Sequence, residues 1–204
     1  MSTAFIIGNG LSRKDIDLTK LKGTTYGCNA LYREFTPDYL FAVDNRMQEE
    51  IVNSPLFEKN KFVASQMTRE KYPDKKIYPL NIPLTVGAVG GADAGYNAFK
   101  HVFFNFEGDT VYLLGFDFTY STKDNKANNI YRGTYGYKSE PRQMDIKQNV
   151  LKNILYYCDK KRNKVNFIRV VEPGLSFQWT KKQLDTPTNF IEITVEEFKK
   201  DHGC

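Results

Sequence analysis

The stretch Ile6-Ile7-Gly8-Asn9-Gly10-Leu11-Ser12 decides the fold class of this chain. It continues an apolar run that begins at Ala4, and it ends at Ser12, a residue type that favours helix N-caps. We interpret it as a strand, a tight loop and the start of a helix. Such a junction directs backbone N–H groups and a helix N-terminus to one point, and glycine lets a phosphate approach the backbone closely. Gly8, Gly10 and Ser12 are therefore candidate nucleotide-binding residues.

Three more predicted strands end, like the first, in polar or glycine residues. The carboxyl ends of parallel strands meet at one edge of an open α/β sheet, where such sheets bind ligands, so we expect these residues to share one rim with Asn9. The strands and the residues that follow them are Thr24–Cys28 with Asn29, Tyr39–Val43 with Asp44, and Thr110–Leu114 with Gly115 and Asp117. The pattern predicts an α/β fold with a Rossmann-like, open, mostly parallel sheet and helices on both faces.

The remaining segments fit one nucleotide-binding α/β domain that spans the 204 residues. Residues 119–141 are a long polar stretch rich in Tyr, Asn, Gly and Lys, and a connection of that length is typical of an active-site lid. The other predicted elements are helices over 47–60, 142–162 and about 195–201, and strands over 61–65 and 165–170.

Small residues crowd the segment Thr85–Lys100. A helix that starts between Val86 and Gly91 would bring its backbone close either to a ligand or to the sheet, and the sequence leaves these two alternatives open. On the first alternative, Gly87 is a further candidate nucleotide-binding residue.

Composition and charge narrow the classes of function. The formal net charge of +5 is compatible with an anionic partner but does not identify it. The content of 41% hydrophobic residues argues against a disordered chain. No apolar run reaches the roughly 18 to 20 residues that span a bilayer, so we expect a cytoplasmic protein without membrane attachment. The three cysteines form no Cys-x-x-Cys pair and the two histidines, His101 and His202, lie far apart, which argues against a zinc site and favours ordinary buried or terminal thiols.

Several of these motifs together resemble the bacterial sialyltransferase family that builds sialylated lipooligosaccharides from a CMP-sugar. More distantly, they resemble pterin pyrophosphokinase-like proteins, which have a related nucleotide-binding domain. The resemblance covers residues 4 to 150. The motifs that carry it are Ile6–Ser12, where the family usually has proline in place of Leu11, then Asp15-Ile16-Asp17, Leu21, Cys28-Asn29 and Leu114–Phe118.

The resemblance implies roles for individual residues. Asn9 and Asn29 correspond to asparagines that contact the nucleotide in that family. Tyrosines of the family's lid hold the departing phosphate, a role that suits a phenolic O–H because it donates to a phosphate oxygen. The candidates in this chain are Tyr120, Tyr131, Tyr135 and Tyr137. The alternative for each of them is a partly exposed aromatic side chain of the lid.

One departure from the family concerns catalysis. The family's general base is a histidine in a Tyr-x-Gly-His context, whereas this chain has Tyr131-Arg132-Gly133-Thr134, and a threonine hydroxyl does not take up a proton near neutral pH. Asp117 and Asp44 are therefore the candidate bases, with hydrogen bonding to loop N–H groups or to a ribose as their alternative role. Arg132 is a candidate for offsetting the charge of a leaving phosphate, which a planar guanidinium suits.

These observations predict a metal-independent glycosyltransferase that needs no cofactor. It would move a sugar from a nucleotide-sugar to an acceptor hydroxyl on a glycan or on modified DNA. Two other classes stay open: a nucleotide pyrophosphokinase with Mg²⁺ held by Asp44 and Asp117, and a protein that binds a nucleotide without turnover. Asp15 and Asp17 have the spacing of a metal-binding Asp-x-Asp motif, but the resemblance assigns them elsewhere. The sequence leaves both monomeric and oligomeric states open.

Overall fold

One parallel sheet organises the molecule. The computed structural model describes residues 2–82, 93–118, 127–137, 144–161, 164–172 and 187–204. The strands in these residues are β1 (Thr3–Ile7), β2 (Thr24–Cys28), β3 (Tyr39–Phe41), β4 (Lys61–Ala64), β5 (Tyr78–Pro79), β6 (Thr110–Leu114), β7 (Asn166–Val171) and β8 (Phe190–Thr194). They form a sheet in the order β5-β4-β3-β2-β1-β6-β7-β8, and neighbouring strands run parallel throughout. The chain therefore has the α/β, Rossmann-like open sheet that the sequence predicts.

Helices connect the strands and cover the sheet. The α-helices are α1 (Asn45–Asn53), α2 (Gln66–Lys71), α3 (Ala94–Asn105), α4 (Met144–Lys160) and α5 (Val195–His202). Short 3-10 helices follow β1 and β2 at Leu11–Arg13 and Asn29–Arg33. The last helix starts at a complete capping box between Thr194 and Glu197, which fixes its first turn.

Apolar side chains alternate between the two faces of the sheet, as the period of a strand requires. On one face, Ile6 packs with Phe99 of α3 and Ile154 of α4. On the other face, Ile7 packs with Phe198 of α5. Parallel strands covered on both faces have near-continuous apolar sequences, which is why β1 and β6 are readily predicted from the sequence.

Several element boundaries differ from the sequence-based prediction. The predicted helix over 47–60 is α1 followed by a separate 3-10 turn at Phe57–Lys59, because the residue before Pro55 disfavours helical backbone and Ser54 is extended. The third strand ends at Phe41 rather than at Val43. The edge strand β8 was not predicted, although Ile191–Thr194 alternates apolar and polar residues.

Two further observations concern the predicted class of protein. In the described part of the chain, no helix is both long and apolar enough to cross a membrane. All three cysteines are free thiols, of which Cys28 and Cys158 are buried and Cys204 is half-buried. Burial raises the pKa of the Cys28 and Cys158 thiols well above the usual range, so both stay protonated and neutral. The thiols are thus buried or terminal, as the sequence predicts.

Candidate functional site

The order of the sheet reverses at β1, since β2 to β5 lie on one side of this strand and β6 to β8 on the other. Such a switch point opens a crevice beyond the carboxyl ends of the strands, where open α/β sheets bind ligands. A cavity of about 790 Å³ lies there, within the range of about 300–1,000 Å³ that small-molecule sites occupy. The sequence-predicted residues that line it are Gly8, Asn9, Gly10, Asn29, Asp44, Gly115, Asp117 and Tyr137.

The loops that follow β1 and β6 are in direct backbone contact. The N–H of Gly8 donates to the carbonyl of Leu114 at 2.8 Å, and the N–H of Gly10 donates to the carbonyl of Gly115 at 2.9 Å. A Cβ at Gly10 would lie 2.6 Å from the Gly115 oxygen and 2.5 Å from Oδ2 of Asp117. Gly115 has a φ of +67°, which favours glycine. The glycines of both loops are therefore required for this close packing.

The N–H groups of the first loop already have acceptors within the protein. Besides those of Gly8 and Gly10, the N–H of Leu11 donates to Oδ1 of Asn128 at 2.8 Å, and that of Ser12 donates to Oδ2 of Asp117 at 3.0 Å. The prediction that the backbone of this loop presents these N–H groups to a phosphate is therefore wrong. A ligand phosphate needs other donors.

Ser12 does not cap a helix. It lies inside the 3-10 turn Leu11–Arg13, whose N-cap is Gly10, and no side chain caps that turn. The hydroxyl of Ser12 instead donates to Oδ1 of Asp117 in a short hydrogen bond. A serine that follows a strand and a glycine loop has the sequence signature of a cap, but here its hydroxyl donates to a buried carboxylate on the loop after the neighbouring strand β6.

Asp117 is held from both sides. Its carboxylate accepts both bonds from Ser12, and its side chain is only 4% exposed. Behind it, the guanidinium of Arg169 donates to the carbonyls of Phe116 at 2.7 Å and Asp117 at 3.0 Å. Arg169 is fully buried and paired at 2.5 Å with Glu192 of β8. Burial lowers the pKa of Arg169 to about 10, against the opposing effect of the nearby carboxylates, so it remains charged at neutral pH.

Asn9, Asn29 and Tyr137 meet at one point of the cavity wall. The side-chain amide of Asn9 donates to the Tyr137 hydroxyl at 3.0 Å, and the N–H of Ala30 approaches the same oxygen at 3.3 Å. Asn29, the residue before Ala30, also lines the cavity. Asn29 has a φ of +52°, a conformation that asparagine tolerates better than most residues. The two asparagines that the resemblance assigns to the nucleotide are thus adjacent in space.

Residues 127–137, the described part of the predicted lid, are hydrogen-bonded to the loop that follows β1. The N–H of Ile130 donates to the Asn9 carbonyl at 2.8 Å. The buried guanidinium of Arg13 donates to the Tyr131 hydroxyl at 3.0 Å and forms an ion pair with Glu34 at 3.0 Å. The Tyr131 hydroxyl in turn donates to Glu34. This segment therefore forms a wall of the cavity.

The charged residues of the cavity wall are mainly acidic. Asp44 and Arg46 lie at the amino end of α1, Asp93 caps α3, and Asp117 lies on the loop after β6. Asp93 is engaged, because its side chain accepts from the N–H of Tyr96 at 3.1 Å. Asp44 is exposed and makes no side-chain capping bond to α1. Asp44 is therefore the carboxylate of this wall that is most open to a ligand.

Other predicted residues lie away from the cavity wall or outside the described residues. Tyr131 is buried against Arg13, and burial raises its pKa well above the usual range. Tyr135 is 66% exposed and Arg132 is half-buried, and neither lines the cavity. Thr134, which stands where the resembling family has its histidine, is on the outer side and accepts from Arg33 at 3.0 Å. Gly87 and Tyr120 lie outside the described residues.

Some residues of the wall were missed from the sequence. Asn128 is the acceptor for the first loop, and Arg46 and Met47 belong to the first turn of α1. Asp93 was also missed, although an aspartate before a helix of small residues has a recognisable capping signature. No comparable local signal marks Asn128, because its partner is 117 residues away in the chain.

No group of three or more His, Cys, Asp or Glu side chains in the described ranges is arranged to hold a metal ion. His101 is buried within α3 against the rings of Tyr26, Tyr39 and Phe41, away from the cavity. In comparisons with known proteins, the chain matches no family model, no curated protein and no solved structure.

Proposed function

We propose that this protein is a glycosyltransferase that binds a nucleotide-sugar in the cavity between β1 and β6 and transfers the sugar to an acceptor hydroxyl. The observation that carries the proposal is the position of the cavity at the switch point of a Rossmann-like sheet. Its size, about 790 Å³, is sufficient for a nucleotide with an attached sugar. CMP is the expected nucleotide, on the resemblance given above.

The polar groups of the wall support binding of a nucleotide. Asn9 and Asn29 supply amide groups that can both donate and accept, as a base, a ribose or a phosphate requires. Arg46 and the first turn of α1 add positive potential at one end of the cavity. The apolar contacts of a base or sugar ring would come from Phe116, Phe118 and Met47.

Catalysis in this proposal uses a carboxylate in place of the absent histidine. Asp117 is a poor base because both of its oxygens accept hydrogen bonds from Ser12. Asp44 is exposed at the cavity and is therefore our proposed general base for the acceptor hydroxyl. Asp117 has a positioning role, since it ties the loop after β1 to the loop after β6.

The acidic wall favours a second candidate, a Mg²⁺-dependent nucleotide pyrophosphokinase. Mg²⁺ is commonly held by one or two carboxylates together with substrate phosphates, and Asp44 and Asp117 are the carboxylates that would serve. The two candidates differ in a single requirement: the transferase binds its nucleotide without metal, and the kinase needs Mg²⁺ for its chemistry and for tight binding.

A thermal-shift screen against CMP, UDP, GDP, ADP and CMP-sialic acid, with and without Mg²⁺, tests the proposal. A ligand that binds only the folded state raises the melting temperature, so we expect a metal-independent shift with CMP and CMP-sialic acid that is lost in Asn9→Ala. A shift seen only with ADP and Mg²⁺ would favour the kinase, and a shift with none of these nucleotides would overturn both.

Hydrolysis of CMP-sialic acid, in which water replaces the acceptor hydroxyl and CMP is released with free sialic acid, then tests the assignment of the base. We expect Asp44→Asn to slow this release by about 10²-fold, the lower end of the contribution of general base catalysis, with little change in CMP affinity. Asp15→Asn is the matched control, because Asp15 is exposed and lies outside the cavity wall. An Asp44→Asn variant with full activity would exclude Asp44 as the base.

A further inference from the structure

Two amide oxygens of the cavity wall have no hydrogen-bond partner among the residues that the structure describes. They are Oδ1 of Asn9, on the loop after β1, and Oδ1 of Asn29, which directly follows β2. Both atoms are buried, and both residues line the cavity. Buried acceptors without a partner are rare in folded proteins, because such an atom loses its bonds to water without replacement. The two oxygens therefore mark a place where a ligand can supply hydrogen-bond donors.

The amide nitrogen of Asn9 is already engaged within the protein. Its Nδ2 donates to the hydroxyl of Tyr137 at 3.0 Å, and the N–H of Ala30 donates to the same oxygen at 3.3 Å. These two donors match the two lone pairs of the phenol, so that Tyr137 has its own proton left to donate. Burial raises the pKa of Tyr137 to about 12, which keeps this proton in place at neutral pH. This corner of the wall thus combines two acceptors with one donor.

A hydroxyl group of a ligand matches this combination, and a phosphate does not. A hydroxyl donates one hydrogen bond and accepts others, whereas an ionised phosphate offers acceptors and would leave both asparagine oxygens unpaired. The carboxylates of Asp44 and Asp117 belong to the same cavity wall and repel a phosphate further. The corner therefore favours the sugar of a nucleotide over its phosphate.

The position of Asn29 in the sheet also indicates a ribose. In dinucleotide-binding sheets, an acidic side chain about 20 residues beyond the glycine loop accepts a hydrogen bond from a ribose hydroxyl. Asn29 follows Gly8 and Gly10 at about this distance, at the carboxyl end of the strand next to β1. Its carbonyl oxygen is an acceptor, as a carboxylate oxygen is. Position and chemistry therefore agree.

We propose that Oδ1 of Asn9 and Oδ1 of Asn29 accept hydrogen bonds from the 2′- and 3′-hydroxyls of the ribose of the nucleotide, and that the Tyr137 hydroxyl donates to one of these two groups. The inference rests on the proposed nucleotide site and names the part of the ligand that the asparagines recognise. It assigns Tyr137 to the sugar, in contrast to the phosphate role that the resemblance implies. The site is thereby selective for ribonucleotides.

Isothermal titration of the wild type with CMP, 2′,3′-dideoxy-CMP and UMP, without Mg²⁺, tests the inference on the unaltered protein. We expect the Kd for dideoxy-CMP to exceed that for CMP at least about tenfold, because losing both hydroxyls leaves two buried acceptors unpaired. Equal Kd values for these two ligands would overturn the inference. If UMP, which keeps both hydroxyls, then binds about tenfold more weakly than CMP, the donor is the amino group of cytosine instead.

Two variants of Asn29 separate an acceptor role from a structural one, and both aspartate and glycine tolerate its positive φ. Asn29→Asp keeps an acceptor, so it should bind CMP within about threefold of the wild type and keep the preference for CMP over dideoxy-CMP. Asn29→Gly removes the acceptor and should lose most of that preference. Asn53→Asp is the matched control, because it makes the same change of charge at an exposed residue outside the cavity wall.

The sign of the effect in Asn29→Asp distinguishes a sugar from a phosphate. If a phosphate lies against Asn29, the added carboxylate repels it, and CMP binding weakens at least about tenfold in Asn29→Asp but not in Asn53→Asp. That result would contradict the ribose assignment.

The outcomes also separate this inference from the proposed function. If CMP and dideoxy-CMP bind the wild type equally well, the ribose assignment is wrong and the nucleotide site stands. If CMP is preferred over dideoxy-CMP but CMP-sialic acid is not hydrolysed, the ribose assignment stands and the proposed transfer reaction is wrong. If none of these nucleotides binds, the proposed function is wrong and the inference falls with it.

Discussion

Gly10 has the least room for a side chain in the loop after β1. A Cβ there would lie within 2.6 Å of both the Gly115 carbonyl oxygen and the Asp117 carboxylate. Neither neighbour is the free end of a flexible side chain, because Gly115 is backbone and Asp117 is bonded to Ser12. A methyl group at this position must therefore push the loops after β1 and β6 apart.

We expect Gly10→Ala to lower the free energy of unfolding by about 1–3 kcal/mol, the usual cost of overpacking, and to weaken nucleotide binding. Urea denaturation measures the first effect and calorimetric titration with CMP the second. Gly203→Asn is the control, because a Cβ at Gly203 meets open space and asparagine tolerates its positive φ. An unchanged unfolding midpoint in Gly10→Ala would contradict the close packing of the two loops.

His101 makes stability depend on pH. Burial lowers the pKa of His101 below its ordinary value of 6.5, and its Nδ1 has no partner among the described residues. Below pH 6.5 the unfolded chain therefore binds a proton that the folded protein resists, so stability is full above this pH and is lost as the pH falls. His202 shifts in the same direction, also through burial.

Replacing His101 with phenylalanine should flatten this dependence. We expect the free energy of unfolding of the wild type to fall between pH 7.5 and pH 5.5, and that of His101→Phe to fall less, because the phenyl ring keeps the contacts with Tyr26, Tyr39 and Phe41 without titrating. Equal pH profiles for the two proteins would show that other groups set the acid sensitivity.

The residues of the cavity wall differ in how well the sequence predicts them. Asn9, Asn29, Asp44 and Asp117 each lie within three residues of the end of a strand, so the pattern of strand and polar end locates them at one rim. The hydrogen bond between Asn9 and Tyr137 joins residues 128 apart, and no local pattern encodes such a contact. The same holds for the side chains of Asn128 and Asp117, which accept from the N–H groups of Leu11 and Ser12. These long-range bonds are one reason why the predicted phosphate site on the loop backbone is wrong.

At the scale of elements, the segment 127–137 depends on ion pairs of the first part of the chain. Arg33 forms a two-pronged pair with Glu50, with both N···O distances at 2.7 Å, and also donates to Thr134 Oγ1 and to the Tyr135 carbonyl, each at 3.0 Å. Both charged side chains are only partly exposed. Arg33 thus connects the helix α1 to the outer side of this segment.

We expect Arg33→Gln to loosen the segment without unfolding the protein. Amide hydrogen exchange at Gly133 and Tyr137 should become about tenfold faster, because losing hydrogen bonds from a charged group costs on the order of 1.5 kcal/mol locally. Lys20→Gln is the control, since Lys20 forms an exposed pair with Asp17 at 3.9 Å. Unchanged protection of these two amides in Arg33→Gln would show that Arg33 is not needed to hold the segment. The bonds from Ile130 to Asn9 and from Arg13 to Tyr131 would then be sufficient.

Elements were predicted best where a single physical signal dominates. The buried strands β1 and β6 have continuous apolar sequences, and α5 starts at a capping box, so their positions follow from local chemistry. The strand β8 was missed because a short edge strand gains its stability from pairing with β7, a contact with a distant partner. The helix predicted over 47–60 is too long because Pro55 disfavours helical backbone at Ser54, where α1 ends.

At the scale of the whole molecule, the order of the strands brings the site together. Because the sheet reverses at β1, the ends of β1, β2, β3 and β6 lie around one cavity, and all neighbouring strands run parallel. Helices on both faces fix the sheet, and the buried pair Arg169–Glu192 fixes the loop after β6. The fold thus supports our proposal that a nucleotide binds at this cavity.

An amide ¹H–¹⁵N correlation spectrum recorded during titration with CMP, without Mg²⁺, tests that claim most directly. We predict that the signals of Gly8, Gly10, Ala30 and Gly115 shift with a single dissociation constant, while those at the opposite edge of the sheet, such as Thr110, stay in place. A spectrum that does not change at millimolar CMP, or whose changes cluster away from the ends of β1 and β6, would contradict it.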